Sequence, residues 1–226
     1  MSENKENIQE EIHQEFQIER MVLFSDAVFA IVITLMAIEI RIPEGLKLST
    51  YDEFMHALGH LAPTIIAYIG TFIFIGAIWY QHLKIYGFIK TFDARLVFHN
   101  LLLLFFVGLF PFSASLISRG SHMTMLPFYI YIGIIFSCLG AVTLIEHYIF
   151  VTKPSLLNGK DYSEQLKKYS ERKLSLIILA ITLLVIVVFN TIFSGTIYES
   201  LSGALFALYP IAYLIVKKRR ERKVKK

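Results

Sequence analysis

Asp26 is the residue in this sequence with the most chemistry to offer, because its carboxylate follows Ser25 and opens the apolar run from Ala27 to Ala37. A charge at the edge of such a run is expensive. It is kept where it faces protein or water and has a partner, so Asp26 is a candidate site residue by position alone. Other polar groups interrupt apolar runs further on: Trp79 and His82, His99 and Asn100, Glu146 and His147. Two chemistries suit this set. Carboxylates and imidazoles can relay protons, or the whole group can form a buried hydrogen-bonded cluster that ties helices together.

The elements that carry these groups follow from composition. Of 226 residues 55% are hydrophobic, 18% are charged and 19 are Phe, which is too apolar for a water-soluble domain of this length and excludes most soluble enzyme folds. The fold class expected is all-α and polytopic, with six transmembrane helices at 22–42, 61–81, 96–117, 126–151, 174–193 and 201–216. Helices are preferred over barrel strands because each run is continuous rather than alternating. Six spans place both termini and the segments 84–95 and 152–173 on one side, and these hold 19 of the 22 Lys and Arg; Arg41, Lys47 and Arg119 are left for the other. The positive-inside rule makes the basic side cytoplasmic. The chain thus divides into a cytoplasmic segment 1–21, a membrane domain 22–216 and a basic tail 217–226. The six glutamates among the first 20 residues do not suit a cationic leader, so that segment reads as mature sequence.

Other functions find little support. Cys138 is the single cysteine, so there is no intrachain disulfide and no Cys-x-x-Cys metal site. His56 and His60 are spaced by four without a metalloprotease pattern, and no phosphate-binding loop or nucleophile elbow occurs, so neither an enzyme nor a resident cofactor is expected. The terminal run from Lys217 to Lys226 lacks interleaved aromatics and reads as an anchor on anionic lipid, not a nucleic-acid site.

Arg20, Phe24, Ser25 and Asp26 form an R-x-x-x-F-S-D motif that resembles the signature of the transmembrane protein 175 potassium channels in their bacterial six-helix form. Trp79 and His82 (W-x-x-H), Asn100 in the third span and the L-F-P-F run at 109–112 extend the likeness, which covers the first half of the chain. No second motif copy is found, so the resemblance is to the single-repeat version, a homotetramer around a central pore. It implies a potassium-permeable channel in the bacterial cytoplasmic membrane, lined by the first helix of each subunit and lacking a T-V-G-Y-G filter. By motif position, Ile31 falls at the family's aliphatic gate and Thr34 at its threonine selectivity layer, where K+ would be held transiently. Leu35 and Ile38 fall at other pore-facing positions.

Helical geometry is compatible with that assignment. Thr34, Leu35 and Ile38 lie at about −60°, +40° and −20° from Ile31, one stripe, while Asp26 lies at about −140° and points toward neighbouring helices. A ring of isoleucines can close a path by dewetting, and threonine hydroxyls can replace part of an ion's hydration shell. The expected polar network is Arg20, Phe24, Ser25, Asp26, Trp79, His82 and Asn100 at the cytoplasmic end, with Glu146 and His147 at similar depth. The alternative is a proton-coupled transporter using Asp26, His82 and Glu146. Residues 1–20 carry a net charge of −4, and Ile8, Ile12 and Phe16 recur as on an amphipathic helix, which would gather cations near the inner mouth.

Overall fold

The computed structural model describes residues 2–38, 40, 50–119, 126–159, 161–192, 209 and 213–218. Among the described residues five stretches are long and apolar enough to cross a bilayer: Ile12–Ile38, Thr64–Tyr86, Ala94–Ile117, Leu126–Thr152 and Ser163–Ile192. The expected sixth span, 201–216, lies for the most part outside the described residues; Tyr209 and the short stretch 213–218 are helical. The chain divides into two units, Met1–Lys160 and Asp161–Lys226.

In the first unit, α1 runs without a break over Ser2–Ile38. Charge composition suggested a boundary at 21/22, but Glu, Gln and Lys are good helix formers and no Gly or Pro interrupts them. At 37 residues α1 is about 55 Å long, well beyond the hydrocarbon thickness. Helix α2 spans Tyr51–Tyr86 and starts at a capping box, in which the Thr50 hydroxyl accepts from the Glu53 N–H and the Glu53 carboxylate accepts from the Thr50 N–H.

The third span is two helices, α3 (Ala94–Gly108) and α4 (Phe110–Arg119), interrupted at Leu109. Pro111 has no N–H to give the Val107 carbonyl and its ring crowds that turn, so the ladder breaks two residues before it. Helix α5 (Leu126–His147) continues into a wide π turn, Tyr148–Thr152. Leu96, Leu103, Leu104 and Val107 of α3 are buried, as are Ile134, Cys138, Val142 and Ile145 of α5, the helix packed against it.

The loops at the basic end are stitched together. The Lys90 N–H donates to the Leu156 carbonyl (2.9 Å), the Asn158 N–H donates to Phe88 (2.9 Å), and Ile89 bridges Leu157. Many large side chains stay outside, among them Ile66, Ile69, Ile73 and Phe105. That suits lipid, where apolar surface gains nothing by leaving its solvent and helices are held by close packing and hydrogen bonds.

In the second unit, α6 covers Ser163–Ile192. It begins eleven residues before the expected span, so the mixed-charge stretch 163–173 is a helical extension of it. Asp161 receives the Ser163 N–H (2.9 Å), which holds its carboxyl below the ordinary range. Ser175 and Tyr209 share a hydrogen bond (2.5 Å), and Lys217 pairs with Glu171 (3.3 Å).

Candidate functional site

Helix α1 has two unlike faces. Ser25, Phe29, Val32 and Met36 are all buried and lie at about +120°, +160°, +100° and +140° on the wheel measured from Ile31. The opposite face is bare: Ile31, Leu35 and Ile38 are 57%, 43% and 58% exposed, and Thr34 is exposed between them. This helix therefore packs on its own chain along one side and keeps a full-length stripe uncovered on the other.

The buried side is tied by hydrogen bonds that have one consistent direction. The Ser25 hydroxyl donates to the Met21 carbonyl (2.9 Å), so its oxygen is free to accept from Asn100 Nδ2 (2.9 Å). That orients the Asn100 amide with Oδ1 toward His82 Nε2 at 2.8 Å, which must then carry the ring proton. Ser25, His82 and Asn100 are each essentially inaccessible, and the imidazole also stacks on Tyr86 at 4.2 Å and meets Phe29 at 5.8 Å. One chain of small polar groups thus joins α1 to α2 and α3. Beside it, Trp79 Nε1 donates to Asp26 Oδ1 at 2.8 Å, a second tie between α1 and α2.

Arg20 and Phe24 lie outside this network. The Arg20 guanidinium sits 6.0 Å over the Phe16 ring on its own helix, and Phe24 is exposed. The reason is angular: both fall within about 20° of Ile31, so they extend the bare stripe instead of the packed face. Ile12 and Phe16 are exposed too, so the N-terminal part of α1 does not pack them on this chain.

Glu146 is buried and accepts from Gln81 Nε2 at 2.8 Å, while Asp26 is held by Trp79 and His82 by Asn100. Gln81 was not singled out from the sequence, although a polar amide in an apolar run beside His82 is the kind of signal that could have marked it. Thr71 and Tyr131, 2.6 Å apart, make a further tie between α2 and α5.

At the basic end, Asp93 caps α3 by accepting the Leu96 N–H (2.9 Å) and also receives Tyr148 Oη (2.5 Å) and Lys153 Nζ (2.7 Å). Partial burial alone would raise its carboxyl, but these hydrogen bonds and the Lys153 charge outweigh that and hold it at about 2. The same pairing raises Lys153.

Five apolar spans, an internal polar tie between the first three, and one uncovered aliphatic and hydroxyl-bearing stripe define a polytopic helical membrane protein. Residues 20–111, which contain Arg20, Phe24, Ser25, Asp26, Trp79, His82 and Asn100, match the family model described as endosomal/lysosomal potassium channel TMEM175. A potassium channel of Chryseobacterium sp. (strain P1-3) is 34% identical over 131 residues, 58% of this chain and 64% of that protein. A potassium channel of Streptomyces collinus is 34% identical over 110 residues, 46% of this chain and 52% of that protein. The matches thus span between half and two thirds of these relatives' own length. Among solved structures, the lysosomal potassium-selective channel TMEM175 homolog from Chamaesiphon minutus superposes with a TM-score of 0.60 at 22% identity, covering 88% of this chain and 97% of that one, a likeness of fold.

Proposed function

We propose that the chain is one subunit of a potassium-permeable cation channel, and that the observation carrying this reading is the bare stripe of α1. A helix packed along one side through Phe29, Val32 and Met36 and uncovered along Ile31, Thr34, Leu35 and Ile38 is suited to face its own copies around an axis. The match to the family model and the names of the relatives support the ion and the passive mode of transport. Potassium ions, the lipid bilayer and three further copies of the chain are the partners in this reading. It comprises six spans in a homotetramer, both termini in the cytoplasm and the bacterial cytoplasmic membrane as location. The distribution of Lys and Arg supports the orientation.

Four Ile31 side chains around an axis form an apolar constriction, closed when it dewets and conducting when it widens enough for a partly hydrated ion. Thr34 follows one turn later with its hydroxyl proton turned back to the Ile31 and Ala30 carbonyls (2.8 and 3.1 Å). With its proton engaged on the backbone, the oxygen keeps lone pairs for a passing cation. A ring of such oxygens favours the ion that sheds water more readily, potassium over sodium, with a modest preference. Ser25, Asp26, Trp79, His82 and Asn100 fix the pore helix against α2 and α3.

The test is flux in liposomes containing the purified protein. Ile31→Asn should raise conductance and reduce discrimination, and Thr34→Ala should lower the potassium preference without loss of assembly. Unchanged currents and reversal potentials in both variants would refute the pore assignment. Transport that follows an imposed pH gradient and saturates at low turnover would favour the transporter.

A further inference from the structure

The basic end of unit one holds a cavity that the pore does not use. It is open, about 500 Å³, and its walls are Asp93, Ala94 and Arg95 at the start of α3 and Tyr148, Thr152 and Lys153 at the end of the π turn. A second lobe of about 480 Å³ continues it past Phe98 and His99. Two spans, Ala94–Ile117 and Leu126–Thr152, have their ends here. The cavity therefore sits at the level where acyl chains give way to headgroups.

Its walls sort by chemistry along the same direction. Asp93 and Lys153 neutralise each other, and the Asp93 oxygens are further occupied by Tyr148 and the Leu96 N–H. Arg95 is different: it is exposed, lines both lobes, and makes no hydrogen bond or ion pair among the described residues. Lys90 is exposed in the loop just before it. One turn deeper stands Phe98, 64% exposed, with His99 beside it, whose Nδ1 is enclosed without a hydrogen-bond partner among the described residues. A free guanidinium above an exposed aromatic ring, at the mouth of a cleft between two membrane helices, matches a ligand that is anionic at one end and apolar at the other. Tyr148 and Thr152 of the cleft wall stand on the π turn, whose spiral is wider than that of an α-helix.

We propose that this cavity binds the phosphate of an anionic phospholipid, with Arg95 clasping the headgroup oxygens and Phe98 lying along the first part of an acyl chain. Guanidinium geometry suits two phosphate oxygens at once. With both termini in the cytoplasm this is an inner-leaflet lipid, drawn to the same surface by the neighbouring lysines. The inference rests on the membrane assignment and, for the leaflet, on the proposed orientation, and would stand if the pore ran elsewhere.

Native mass spectrometry of the purified full-length protein, delipidated and titrated with phosphatidylglycerol or phosphatidylcholine, tests it. Phosphatidylglycerol should bind in preference to phosphatidylcholine, and Arg95→Gln should weaken its binding about fivefold, the worth of one well-placed cation near a membrane surface. Arg95→Lys should recover part of the loss, and Lys90→Gln, outside the cavity, should change binding less. Arg95 makes no hydrogen bond or ion pair among the described residues, so the variant should melt like the parent. Equal retention of phosphatidylglycerol by Arg95→Gln and parent, or equal retention of the two lipids by the parent, would overturn the proposal. Displacement by millimolar inorganic phosphate would overturn the lipid as the source and assign the site to a free anion.

Discussion

The Ser25–Asn100 hydrogen bond offers a direct probe of how the first helix is held, because both side chains are buried and their bond crosses from α1 to α3 at 2.9 Å. Ser25→Ala removes the acceptor of the Asn100 amide. The Met21 carbonyl keeps its helical partner, so the loss is one orphaned N–H, about 1 kcal/mol. Asn100→Leu conserves volume but removes both bonds and leaves the His82 Nε2–H without an acceptor, at about 2–3 kcal/mol. In the double variant the amide orphaned by Ser25→Ala no longer exists. Its cost should fall short of the sum by about 0.6–1.7 kcal/mol, the range for hydrogen bonds between membrane helices. Reversible unfolding in mixed micelles, read by tryptophan fluorescence of Trp79, measures all four corners. Additivity within about 0.3 kcal/mol would mean that the two side chains do not bond and that the directed chain from His82 to Met21 is wrong.

Trp79→Phe keeps the ring but removes the donor to Asp26, a charge-assisted bond at 2.8 Å, and should destabilise by about 1.5 kcal/mol because the tryptophan is partly exposed. Asp26→Asn, which keeps an acceptor, should cost less, and the order of melting temperatures of the two variants checks this. Asp93 gives a pH signature. Its carboxyl is held at about 2 in the fold against an ordinary 3.8, so the folded state retains the charge more strongly than the unfolded one. The stabilisation is complete above about pH 4 and is lost as pH falls toward 2. Asp93 and Lys153 are both partly exposed, so it amounts to about 1 kcal/mol or less. Asp93→Asn, which preserves a capping oxygen, should flatten the fall in melting temperature in that window; an unchanged acid profile would contradict the pairing.

Much of this architecture can be read from residue order. The F-S-D triplet already separates faces, since successive residues turn by about 100°, and Phe24, Ser25 and Asp26 do stand bare, buried and half-buried. Continuous apolar runs mark the spans because a bilayer demands length. Partner choice is harder. Trp79 lies 53 residues from Asp26 and Gln81 lies 65 from Glu146; which of Trp79, Gln81 or His82 meets which acid depends on the axial register of packed helices, for which no local pattern exists. Arg20 and Phe24 show the cost of reading a motif as a unit, because motif neighbours need not share a face. The interruption at Leu109 was present in Pro111, but a hydropathy count runs through a proline without registering the lost N–H. The stitched loops at Ile89 and Leu157 arise from pairing across 68 positions of sequence, visible only once the helices are assembled.

The central claim, that the bare face of α1 borders the path of the ion, is tested most directly by cysteine accessibility during single-channel recording. With Cys138 replaced by Ala, Thr34→Cys and Met36→Cys place a thiol two residues apart on the exposed and the packed face of one helix. A small thiol-reactive cation should block the Thr34→Cys current irreversibly and leave Met36→Cys channels conducting. Block of Met36→Cys with Thr34→Cys unaffected would place the ion path on the other side of the helix and contradict the account.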